Sequence, residues 1–70
     1  MCNFDCYVAD SDTGWHFEIK GDFPEVGAYL YVWDEKGRGV YDYLQDNVSM
    51  CMEQALYDYG LPIEKWKRKQ

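Results

Sequence analysis

The chain is poor in the residues that build conventional active sites. Its 70 residues include one histidine, His16, and only two prolines, and its six glycines form no phosphate-cradling loop. Seventy residues leave room for one small domain, spanning 1–70, that buries about 60% of its unfolded surface; a cofactor pocket of several hundred Å³ does not fit in it. No stretch approaches the roughly 20 apolar residues of a membrane span, and no basic flank precedes an apolar run at the N-terminus, so a cytoplasmic protein without membrane contact is expected.

Lysine and arginine are also scarce. Seven bases stand against 13 acids for a net charge of −6, and residues 1–60 alone carry 12 acids and 3 bases. That balance argues against direct binding of nucleic acid, whose phosphates it would repel. The last ten residues reverse the sign, with Lys65, Lys67, Arg68 and Lys69 against Glu64. They are expected to form a frayed basic tail over 66–70.

Cysteine is limited to Cys2, Cys6 and Cys51. An odd number in a domain this small favours reduced thiols over a disulfide framework. With His16 they are zinc-ligand types, but on an extended strand Cys2 and Cys6 lie about 13 Å apart, too far for one metal ion or one disulfide. His16 should face solvent beside Glu18 and Lys20, away from buried thiols, which leaves no nucleophile–base pair. Neither an enzyme nor a metal or cofactor site is expected.

What the chain does have is aromatic surface: seven Tyr, three Trp and three Phe. That much apolar area in so short a chain implies a folded domain and not an acidic tail. From Met1 to Asp10, Cys2, Phe4, Cys6 and Val8 alternate with Asn3, Asp5, Tyr7 and Ala9, which reads as a half-buried strand with the cysteines inward. After the turn residues Asp10 to Gly14, Trp15, Phe17 and Ile19 alternate with His16, Glu18 and Lys20 as a second strand ended by Gly21. Asp22 to Gly27 reads as a loop around Pro24. Ala28 to Trp33 and Val40 to Leu44 make a third and fourth strand around a charged turn from Asp34 to Gly39.

The third strand separates Ala28, Leu30 and Val32 from Tyr29, Tyr31 and Trp33. In the fourth, Val40 and Leu44 are assigned to the aliphatic face and Tyr41 and Tyr43 to the aromatic one. Asp42 then points awkwardly toward the aliphatic side. A helix from about Asn47 to Tyr59 follows, with Val48, Cys51, Met52, Ala55, Leu56 and Tyr59 on one side, oxygen-bearing residues at its start and Gly60 at its end. Ile63 and Trp66 are expected to fold back from one further turn.

The fold class is therefore α+β: a four-stranded antiparallel β-meander with one C-terminal α-helix packed on one face. One helix covers one face, so an aromatic face is left bare. With the acidic charge, this points to a non-catalytic protein-binding inhibitor that docks on a basic surface of a nucleic-acid-handling partner such as a nuclease. Small toxin-immunity proteins and phage-encoded inhibitors of host defence, some acting as nucleic-acid mimics, are the analogy in size and charge. The contact patch would comprise Tyr29, Tyr31, Trp33, Asp34, Glu35, Tyr41, Asp42 and Tyr43. The competing expectation is a self-associating structural or adaptor domain whose aromatic face is a homodimer interface.

Overall fold

A computed structural model of the chain describes residues 6–23 and 27–69. The described residues form an α+β fold: an antiparallel sheet and one α-helix. The strands are β1 (Cys6–Asp10), β2 (His16–Phe23), β3 (Gly27–Trp33) and β4 (Gly39–Gln45). Helix α1 (Val48–Tyr59) and a 3-10 turn at Ile63–Lys65 lead to β5 (Lys67–Lys69). The sheet order is β4-β3-β2-β1-β5. The meander is thus as expected, but among the described residues the sheet has five strands and not four.

The extra strand is the basic tail, which is paired where fraying was expected. Lys67 to Lys69 run antiparallel to β1, with Lys67 opposite Val8 and Arg68 opposite Tyr7. Without them the outer edge of β1 would present unpaired amides and carbonyls. The segment is held in place just before the strand: Trp66 packs edge-on against Phe17, and Lys65 Nζ donates to Asp12 at 2.8 Å. Ile63 departs from expectation and stays 42% exposed.

The helix begins and ends where its capping residues place it. Asn47 Oδ1 accepts from the Met50 amide at 2.9 Å, and Gly60 adopts a left-handed φ of 69° while its amide donates to the Leu56 carbonyl at 2.9 Å. Cys51 and Ala55 face the sheet and are buried with Phe17, Ile19, Ala28, Leu30, Val32 and Leu61; Val48, Met52 and Tyr59 pack around them.

Strand β2 runs through Gly21 to Phe23 instead of stopping, with a register irregularity between Lys20 and Phe23. The segment 24–26, including Pro24, lies outside the described residues, as do Cys2 and Phe4. In β1 the inward residues are Tyr7 and Ala9, which stand opposite Ile19 and Phe17. Val8 stands opposite Glu18 and Cys6 opposite Lys20, the reverse of the expected facing, although Cys6 is buried nonetheless. Among the described residues no helix is long and apolar enough to cross a membrane.

Candidate functional site

Helix α1 covers the face that carries Phe17, Ile19, Leu30 and Val32. Paired residues in an antiparallel ladder share a face, so the register defines what lies on the other one. His16 stands opposite Trp33, Glu18 opposite Tyr31, and Lys20 opposite Tyr29; on the far side of β3, Tyr31 meets Asp42 and Tyr29 meets Leu44.

On that face, which α1 does not cover, the rings of β3 form a continuous row. Tyr29 and Tyr31 stack with centroids 6.0 Å apart, Tyr31 and Trp33 follow at 6.1 Å, and His16 lies 5.4 Å from Trp33. Lys20 Nζ sits 5.7 Å from the Tyr31 ring centre, a cation–π contact. All three β3 rings are half-buried and lean on one another. An open concavity of about 270 Å³ lies at the Trp33 end, lined by Tyr31, Trp33, Val40 and Asp42 among others.

His16 is not the freely solvated side chain expected. Its Nδ1 is 2.7 Å from Asp10 Oδ1 and its Nε2 is 2.8 Å from Glu18 Oε2. Only an imidazolium donates at both nitrogens. Burial of the ring opposes protonation, but the hydrogen bonds to Glu18 and Asp10 outweigh it and raise the pKa above the ordinary 6.5. With both nitrogens engaged by carboxylates, His16 is poorly placed as a general base. Sequence reasoning set His16 beside Glu18 but missed Asp10; the signal was the hairpin register, which puts Asp10 opposite His16.

The eight residues proposed for the contact patch separate into groups. Tyr29, Tyr31 and Trp33 lie together on the uncovered face, and Asp42 joins them opposite Tyr31. Tyr41 and Tyr43 do not: they stand opposite Val32 and Leu30, on the helix side. The reason is an irregularity where Val32 pairs with Tyr41 but Trp33 pairs with Gly39, so Val40 is an extra residue. A single extra residue reverses the facing of everything after it. The same shift resolves the placement of Asp42, whose carboxylate goes to the uncovered side and not under the helix. Tyr43 Oη is 3.1 Å from Tyr59 Oη, and Tyr41 packs on Tyr59 at 6.3 Å while remaining 57% exposed.

Asp34 is also reassigned. It is 8% exposed, and its Oδ1 accepts from the amides of Lys36 at 2.9 Å and Arg38 at 3.0 Å, while Oδ2 accepts from Arg38 Nε at 3.3 Å. It organises the β3–β4 turn from within. The Arg38 amide, followed by the Lys36 amide and the Arg38 guanidinium, holds its carboxyl below the ordinary value despite partial burial. Glu35 beside it is exposed.

Of the thiols described, Cys51 donates weakly to the Ala28 carbonyl at 3.6 Å, and burial pushes its pKa up to about 11. Such a thiol is a core residue and not a nucleophile at neutral pH. Among the described residues no group of three or more His, Cys, Asp or Glu is placed to hold a metal ion. Comparison with protein-family models, with curated proteins and with solved structures finds no match.

Proposed function

We propose that this is a non-catalytic docking protein that inhibits a partner by occupying a basic surface of it, of the kind that nucleic-acid-handling proteins present. The observation that carries the reading is the row Tyr29–Tyr31–Trp33 on a face that α1 leaves uncovered. Aromatic rings pre-ordered by mutual packing give contact area at low entropic cost, which is why such rings recur at the centres of interfaces. The acids Asp10, Glu18 and Asp42 border the row. Their role would be to steer a basic partner into contact and to stand where nucleic-acid phosphates would otherwise lie.

The test has two parts. Affinity capture from the native host, followed by mass spectrometry, identifies the partner; its association rate is then measured across ionic strength and against Trp33→Ala and Tyr31→Ala. The proposal expects a rate that falls as salt rises and a complex that dissociates faster in both variants. An association indifferent to salt and to both substitutions overturns it. If instead the protein sediments as a dimer and Trp33→Ala makes it a monomer, the aromatic face is a self-association surface.

A further inference from the structure

The two edges of the sheet are treated in opposite ways. The β5 edge is three residues long, Lys67, Arg68 and Lys69, and every one is cationic. Short, lysine-rich edges are how natural sheets discourage unwanted strand pairing. The β4 edge is seven residues long and contains no lysine, arginine or proline. Among the described residues no strand pairs with its outer side.

Along the chain from β4 through α1 the charge is of one sign. Residues 39–59 hold Asp42, Asp46, Glu53 and Asp58 and no base. Asp42 lies within β4 and Asp46 directly follows it. Asp58 is linked back to the strand through Gln54, which hydrogen-bonds both Asp58 and Gln45. The concavity bounded by Tyr31, Trp33, Val40 and Asp42 opens at the first half of the same strand.

Resting on the docking role proposed above, we infer that β4 takes up an extended basic segment of the partner as a sixth strand, with an arginine beside Asp42 and apolar residues on either side of it. The alternation follows from the ladder. A residue opposite Asp42 shares its face, where the exposed carboxylate suits a guanidinium, while Lys20 already lies against the Tyr31 ring and His16 against Trp33. The residues flanking it lie on the other face, against Tyr41 and Tyr43, and cover the exposed Tyr41 ring. Main-chain hydrogen bonds would supply affinity and the alternating side chains specificity, as in other strand-addition complexes. A second copy of this chain is the poorer occupant: a two-fold pairing of β4 centred on Asp42 sets the two Asp42 carboxylates opposite each other, and any other register still brings two anionic quadrants together.

The probe is the peptide Thr-Val-Arg-Val-Arg-Val-Thr, capped at both ends and titrated into the full chain by amide NMR. Expected are shifts concentrated at residues 39–45, an affinity lowered about tenfold by Asp42→Lys, and loss of binding when the five central peptide amides are N-methylated. A peptide with glutamate in place of both arginines should prefer the Asp42→Lys protein. Equal binding of the N-methylated peptide, or shifts centred on the Tyr29–Trp33 row or on β5, overturns strand addition and leaves the docking role standing. A wild-type dimer dissociated by Asp42→Lys also overturns it, by placing a second copy on the edge. Should the captured partner be insensitive to Asp42→Lys but released by Trp33→Ala, strand addition falls alone; insensitivity to both substitutions and to salt removes the docking role with it.

Discussion

Tyr43 and Tyr59 meet hydroxyl to hydroxyl at 3.1 Å, and this contact fastens the edge strand β4 to helix α1 on the side away from Tyr31. Burial, then the hydrogen bond the Tyr59 hydroxyl makes to Tyr43 and the nearby Tyr43, Tyr41 and Asp58 groups, raises the Tyr59 pKa well above its ordinary value. Replacing Tyr43 with Phe should cost about 1 kcal/mol of stability and let Tyr59 ionise at lower pH. Urea unfolding and ultraviolet titration of the tyrosinates measure the two effects. Losses that add in the Tyr43→Phe/Tyr59→Phe double variant would mean the hydroxyls do not interact.

His16 couples the uncovered face to pH. Its folded-state pKa is raised above 6.5 by Glu18 and Asp10 against the opposing effect of burial. The resulting stabilisation is present in full below 6.5 and is lost as pH rises through the folded value. Urea midpoints followed from just below 6.5 upward should therefore decline, and His16→Gln should flatten that decline. An unchanged slope in the variant would assign the dependence to another group.

Asp34 and Glu35 are adjacent acids with different work. Asp34→Asn should destabilise the fold at neutral pH by weakening the acceptor of the β3–β4 turn, whereas Glu35→Gln should leave the unfolding midpoint unchanged. The Asp34 carboxyl sits below its ordinary 3.8. Its stabilisation is thus present above 3.8 and lost as pH falls through the lower folded value. The gap between Asp34→Asn and wild type should close in strong acid, as thermal unfolding at a series of acidic pH values would register.

Two glycines with positive φ should respond unequally to alanine. At Gly27, φ is +92° and an added Cβ collides with the Gln45 carbonyl oxygen, so Gly27→Ala should cost about 3 kcal/mol or more. At Gly37, φ is +79° but nothing lies within 4 Å, so only the backbone penalty of about 1 kcal/mol applies. Thermal midpoints that fall equally in both variants would contradict the close approach of β3 to the end of β4.

Cys51 serves as a reporter of opening. Buried against Ala28 and with its pKa pushed up to about 11, it should resist iodoacetamide in native buffer and become labelled only across the unfolding transition. Peptide-level mass spectrometry distinguishes it from the other two cysteines. Rapid native labelling at Cys51 would place the thiol outside the core.

The local elements were readable from residue order because their causes are local. Asn47, Gly60 and the 3.6-residue spacing of Cys51 and Ala55 define α1 from within, and strict alternation in β3 separates Ala28, Leu30 and Val32 from Tyr29, Tyr31 and Trp33. Three of the eight residues of the proposed patch, Tyr29, Tyr31 and Trp33, share a face by that alternation alone. The facing of Tyr41 and Tyr43 did not follow, because it depends on the extra residue Val40, and a bulge is a property of two strands together. Likewise the pairing of Lys67–Lys69 with β1 and the turn-capping role of Asp34 depend on which backbone groups end up near them. By itself the order of residues determined the α+β meander, helix α1 and the aromatic side of β3. The tertiary structure decided which way β4 faces, which edge is guarded by charge and which is left open, because each is settled by contacts between segments distant in the chain.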